Sequence, residues 1–190
     1  NKGEGKFPIT LGLDIEGVIE ESKSKHFIKG DRVIAFPARG TYAQYVVSQE
    51  NLTYKIPNEL SFEQAAAMPT VSFLAAILME EIGATKEQDT IVIHSAAGGV
   101  GSMLVQLAKY LNVHKVIATV GSSEKFKYVK NLGADIVCTY EDFVDVTLKE
   151  TNHNGANVVF DSIAGEITSN SLSCLDNYGT LVQFGNSSGI

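Results

Sequence analysis

The stretch that decides the fold is Ile91–Leu111, IVIHSAAGGVGSMLVQLAKYL. It reads as a short apolar strand, a glycine-rich turn and an amphipathic helix. Val100, Leu104, Leu107, Ala108 and Leu111 recur at helical spacing and form one apolar stripe. Counted from Ala96, Gly98 and Gly101 fall on the second and third glycines of the pattern G-x-G-x-x-G. In that pattern the second glycine lets the backbone approach a pyrophosphate, and the third lets helix and strand pack closely. The free N–H groups and positive dipole end of the helix then face the phosphates. Ala96 stands where the first glycine is expected. It is tolerable if φ stays negative there, because a Cβ is costly mainly at positive φ. Gly99 adds a further bare position. A glycine turn that serves packing alone is the competing reading, and the surrounding chain argues against it.

From Asp89 onward the chain alternates. Apolar, β-rich runs are TIVIH (90–94), KVIATV (115–120), IVCT (136–139), NVVF (157–160) and TLVQF (180–184), with helical patterns between them. Phe126, Val129 and Leu132 make the second helical stripe, and Gly133 is a natural helix stop. Alternating strands and helices with nearly wholly apolar strands imply an α/β fold, with a parallel sheet covered on both faces. Five strands are legible, where a full doubly wound dinucleotide fold has six. With a first residue that is Asn1 rather than Met, this suggests a partial fold lacking its sixth strand, cut from a longer protein.

Upstream the character differs. Residues 1 to about 60 hold short β-rich runs, GLDIEGVIEE (12–21), DRVIAF (31–36) and TYAQYVV (41–47). Turns are expected at Gly30-Asp31 and Arg39-Gly40. The segment reads as a compact antiparallel β region. Ser61 and Gln64 have capping-box spacing, so a helix starts there; Pro69 breaks it and a second helix follows through Met79 and Ile82. The expected boundary separates a β domain, 1–67, from a nucleotide-binding domain, 68–190.

Composition narrows the partners. The 190 residues are 44% hydrophobic and 19% charged, ordinary for a soluble globular protein. A formal net charge of -7 argues against a nucleic-acid partner or an anionic membrane surface. No apolar run approaches the roughly 20 residues of a membrane span. Cys138 and Cys174 each stand alone, which suits a reducing, cytoplasmic setting and offers no zinc pattern.

An NAD-preferring site carries Asp or Glu about 20 residues beyond the glycine turn, bonding the ribose 2′-hydroxyl. Here that position falls on Val120 or Gly121. Instead of a carboxylate, Ser122 and Ser123 offer hydroxyls, Lys125 a cation and Tyr140 a phenolic donor. Together they suit a 2′-phosphate, hence NADPH. Residue by residue a plainer reading competes: serines that cap a helix, a solvated lysine, a surface tyrosine.

GDRV (30–33), SFEQAAAMP (61–69), HSAAGGVG (94–101), NLGAD (131–135) and FGNSSG (184–189) resemble the medium-chain dehydrogenase/reductase superfamily, in its zinc-free NADPH:quinone oxidoreductase, or zeta-crystallin-like, branch. The resemblance runs over essentially the whole chain. It implies a Rossmann domain, here partial, joined to a partial GroES-like β domain. It puts Gly98 beside Gly99 and Val100 at the pyrophosphate, and Gly121, Ser122, Ser123, Lys125 and Tyr140 at the 2′-phosphate. Ser162 would lie near the adenosine half, and Gly185, Asn186 and Ser187 near the nicotinamide end. Zinc-dependent relatives carry Gly-His-Glu in the first block, where this chain has Leu13 and Asp14 at the last two positions. Without Cys and His ligands no catalytic zinc is expected. One departure is Leu74, where many relatives have Thr.

The resemblance implies an NADPH-dependent reductase of quinones, homodimeric at full length. A reductase of enones or alkenals is the alternative within enzymes, since fold analogy does not separate the two. A non-catalytic NADPH-binding protein with a structural or sensing role is the alternative of another class. No catalytic acid stands out. His94 reads as structural, Tyr42 and Tyr45 as β-sheet aromatics, Asp161 as a turn residue, and the cysteines as small buried apolar groups.

Overall fold

A computed structural model describes residues 8–37 and 39–189. The chain divides into two compact units, Asn1–Phe73 and Leu74–Ile190.

In the first unit, β1 (Ile15–Val18), β2 (Arg32–Ala35) and β3 (Thr53–Lys55) form an antiparallel sheet in the order β1-β2-β3. Ile15 pairs with Ala35, and Ala35 in turn with Thr53. The turn into β2 is closed by Asp31, whose carboxylate accepts from Ile28 N–H at 2.9 Å while Gly30 takes φ +95. Helix α1 (Phe62–Ala66) opens on the expected capping box: Gln64 N–H donates to Ser61 Oγ, and Ser61 N–H to Gln64 Oε1. Pro69 then begins α2 (Pro69–Ala76), where its missing N–H does no harm.

The run TYAQYVV departs from expectation. It forms bends, and the third strand is Thr53–Lys55. Tyr42, Tyr45 and Val47 are 77%, 72% and 94% exposed, so among the described residues the run has no sheet surface to pack on. Neither tyrosine is a β-sheet aromatic.

The second unit is built around a five-stranded parallel sheet: β4 (Thr90–Ile93), β5 (Lys115–Thr119), β6 (Ile136–Cys138), β7 (Ala156–Asp161) and β8 (Leu175–Gln183). The order β6-β5-β4-β7-β8 places β4 at the centre, with every residue buried. From there the chain winds outward one way to β6, returns, and winds the other way to β8. That reversal beside β4 is the switch point at which open α/β sheets bind ligands. Helices α3 (Gly99–Tyr110), α4 (Phe126–Leu132), α5 (Phe143–Glu150) and α6 (Glu166–Ser173) connect the strands. One side-chain cluster joins Ile91, Ile93, Leu104, Val105, Val116 and Phe160; a second joins Val92, Ile117, Phe143 and Val159. The alternation of Ile91 and Ile93 against Val92 shows that the clusters lie on opposite faces of the sheet. Gly133 ends α4 at φ +119, as its position foretold. No helix of the described residues is long and apolar enough to cross a membrane.

Candidate functional site

The glycine turn begins at the end of β4. Ala96 is wholly buried and its N–H donates to Thr119 O at 3.0 Å, tying the turn to the end of β5. Ala96 does not take positive φ; the left-handed residue is Ser95, at φ 51. The turn thus answers the missing first glycine by moving the unusual backbone one residue earlier. Gly98 is the N-cap of α3, and a Cβ there would lie 3.2 Å from Ser95 O. At Gly101 a Cβ would lie 2.3 Å from the same oxygen and 2.8 Å from Ala96 Cα. The third glycine is therefore demanded by the turn itself. The 12-residue helix α3 starts there with backbone N–H groups at its first turn, which favours an anion.

Beside the turn lies a cavity of about 180 Å³. Ser95, Ala97 and Gly98 form one wall, Val120, Gly121 and Lys125 another, and Tyr140 a third. Four of the residues expected from sequence, Gly98, Gly121, Lys125 and Tyr140, are thus brought together from three successive strand ends. Val120 is buried and apolar where an acid would otherwise stand. A Cβ on Gly121 would meet only the Tyr140 ring, at 3.8 Å, so the fold itself does not require glycine there. Lys125 is exposed, and among the described residues no carboxylate pairs with it.

Other expected residues lie elsewhere. Gly99 and Val100 occupy the first turn of α3. Ser122 and Ser123 follow Gly121 in the chain but do not line the cavity. Ser122 caps the short 3-10 helix Ser123–Lys125, its Oγ accepting from Glu124 N–H at 3.4 Å. Ser162, Gly185, Asn186 and Ser187 gather at the ends of β7 and β8. Ser187 N–H donates to Ser162 O at 3.1 Å, and a Cβ on Gly185 would fall 2.7 Å from that oxygen. The lack of a side chain at Gly185 is accordingly a packing requirement.

Two buried polar residues hold these strand ends. Asp161 is fully buried; its Oδ1 accepts from Ile163 and Ala164 N–H at 2.7 and 3.2 Å, and its Oδ2 from Thr168. It shapes a loop in which Ala164 and Gly165 both take positive φ. His94 is fully buried, with Thr119 Oγ1 and Ser171 Oγ each 2.8 Å from a ring nitrogen. Ser171 Oγ–H donates to Ile167 O at 2.7 Å, so the serine oxygen accepts from His94 Nε2–H. Nδ1 is then the acceptor, receiving the Thr119 hydroxyl proton. This network fixes one neutral tautomer and joins β4, β5 and α6. Burial lowers the imidazole pKa to about 4, against a smaller opposing pull from Asp161. With both nitrogens occupied inside the fold, His94 is a structural residue. Sequence reading did not find Ser95, Thr119 or Ser171. A hydroxyl residue carries no signal of its own until the partner across the sheet is known.

Cys138 and Cys174 are free and buried, and burial pushes both thiols up to about 11. Among the described residues no group of three or more His, Cys, Asp or Glu is placed to hold a metal ion. Leu13 is 62% exposed, and the Asp14 carboxylate accepts from the Thr70 hydroxyl.

Comparison with known proteins bears on both units. Residues 2–58 match the alcohol dehydrogenase GroES-like domain family, and residues 99–189 the zinc-binding dehydrogenase family. A probable quinone oxidoreductase of Schizosaccharomyces pombe is 38% identical over 185 residues, covering 96% of this chain and 56% of the relative. The structure of Escherichia coli quinone oxidoreductase complexed with NADPH superposes with a TM-score of 0.89 at 33% identity, covering 99% of this chain and 59% of that one. The CurK enoyl reductase superposes with a TM-score of 0.87 at 27% identity, over 93% of this chain and 54% of that one. The chain thus spans somewhat more than half the length of these relatives.

Proposed function

Since the chain belongs to the medium-chain dehydrogenase/reductase family, we propose that it serves an NADPH-dependent reductase that transfers hydride to a quinone. The observation that carries the cofactor reading is the cavity that Gly121, Lys125 and Tyr140 line together, with apolar Val120 where a carboxylate would select NAD. Two bare positions, Gly98 and Gly121, leave room for the ligand. An ammonium and a phenol are a donor set suited to a phosphate.

In this reading Gly98, Gly99 and Val100 hold the pyrophosphate at the start of α3. Gly121, Lys125 and Tyr140 hold the 2′-phosphate, with Ser122 and Ser123 at the same strand end. Ser162 lies toward the adenosine half, and Gly185, Asn186 and Ser187 toward the nicotinamide. The reduced nicotinamide supplies a hydride, which a quinone or conjugated enone accepts without a metal. The protein's part is to bind, orient and exclude water. No side chain is assigned as catalytic acid. In this reading the domain boundary lies at 67/68, six residues before the division between the two compact units at 73/74. A homodimer at full length and a cytoplasmic location complete the reading; two free, buried cysteines accord with a reducing compartment.

Similarity to the CurK enoyl reductase favours enone or alkenal reduction as the second reading. NADPH oxidation by the full-length protein separates the readings, with a benzoquinone, a naphthoquinone and a 2-alkenal offered in turn. Quinone-dependent oxidation is expected. Oxidation with the alkenal alone gives the second reading, and NADPH binding without turnover of any acceptor leaves the non-catalytic one.

A further inference from the structure

We propose that Ser95 is a positioning residue for the 2′-phosphate of the nucleotide, acting through Tyr140. This rests on the NADPH reading above and adds a residue that neither the glycine pattern nor the resemblance singles out.

Ser95 reaches the phenol twice. Its N–H donates to Tyr140 Oη at 3.1 Å, and its Oγ lies 3.2 Å from the same oxygen. The two residues are 45 positions apart, so the contact ties the glycine turn after β4 to the chain beyond β6. Ser95 holds this place at φ 51, a left-handed conformation.

A phenol has one proton to donate and an oxygen that accepts. When both Ser95 groups donate to that oxygen, its acceptor side is filled. The phenol proton is then directed away from Ser95, into the cavity that Gly121 and Lys125 also line. Hydrogen bonds received by a hydroxyl strengthen the one it gives. Ser95 thereby presents Tyr140 as an oriented donor beside a lysine cation, the pairing that a phosphate monoester rewards and a bare ribose hydroxyl does not. In the opposite arrangement the tyrosine proton is spent on Ser95 Oγ, and the cavity loses a donor.

The test is calorimetric titration with 2′,5′-ADP and 5′-AMP, which differ in the 2′-phosphate. Ser95→Gly removes the hydroxyl, keeps the N–H and suits positive φ, so the turn is preserved. Ser95→Gly is expected to weaken 2′,5′-ADP about 5-fold and to leave 5′-AMP unchanged. Tyr140→Phe is expected to weaken 2′,5′-ADP about 10-fold, and the double variant to be no weaker than Tyr140→Phe alone. Equal losses for both ligands, no loss, or independent losses that multiply in the double variant would each overturn the role of Ser95. A wild-type protein that fails to prefer 2′,5′-ADP overturns the NADPH reading itself, and this one with it.

Discussion

Gly101→Ala is expected to lower the thermal midpoint of the second unit by about 5–10 °C, a net loss of about 2–3 kcal/mol. The new Cβ would sit 2.3 Å from Ser95 O and 2.8 Å from both Ser95 C and Ala96 Cα. All three are backbone atoms, so no side chain can swing aside to make room. The turn is pinned on both sides, by Ala96 N–H on Thr119 O at 3.0 Å and by Gly98 N–H on Ser95 O at 2.8 Å. Relief therefore means moving α3 off the sheet, which exposes Leu104 and Val105. The better helix propensity of alanine offsets about 1 kcal/mol of this cost. Gly121→Ala is the matched contrast. Its Cβ would make only an ordinary contact at 3.8 Å with Tyr140, so the midpoint stays within the range of a neutral surface change. It fills the cavity instead, and NADPH binding weakens. Thermal melts of the two variants check the pair; equal midpoints would refute the packing account of Gly101.

Acid is expected to unfold the second unit through His94. The folded imidazole titrates at about 4, below its ordinary value of 6.5, because burial disfavours the cation. Between these values the unfolded chain binds a proton that the folded chain refuses. The contribution is thus fully present above pH 6.5 and is lost progressively as pH falls toward 4. The total is about 3 kcal/mol, at about 1.4 kcal/mol per pH unit. A second proton also breaks the network, since Nδ1 can no longer accept from Thr119. His94→Gln should be less stable at pH 7 yet fall less steeply from pH 6.5 to 4. Urea unfolding across that range reads the difference, and parallel slopes for the two proteins would contradict the assignment.

How much was legible in the sequence follows from where each signal resides. The parallel sheet was legible because β4, β5 and β7 are buried on both faces and so are apolar almost throughout. The α3 stripe, the Ser61–Gln64 box and the Gly133 stop are local rules, and each formed as expected. TYAQYVV shows the limit: its β-rich composition states a preference, but a strand also needs a neighbour. At the candidate site, glycines, Lys125 and Tyr140 stand out in the sequence because their types are chemically conspicuous, and the fold brings Gly98, Gly121, Lys125 and Tyr140 to one cavity. Ser122 was read by chemistry alone, and its local geometry puts it to work as a cap. Ser95 escaped notice because its role is a contact with a residue 45 positions away.

On the proposed reading, this glycine turn and its neighbouring strand ends hold a 2′-phosphorylated dinucleotide. Titration of the protein with NADPH and with NADH, in the wild type and in Lys125→Ala, tests it most directly. NADPH is predicted to bind at least about 10-fold more tightly, and Lys125→Ala to remove most of that preference while leaving NADH binding unchanged. Equal binding of NADPH and NADH by the wild type, or an unaltered preference in Lys125→Ala, would contradict it.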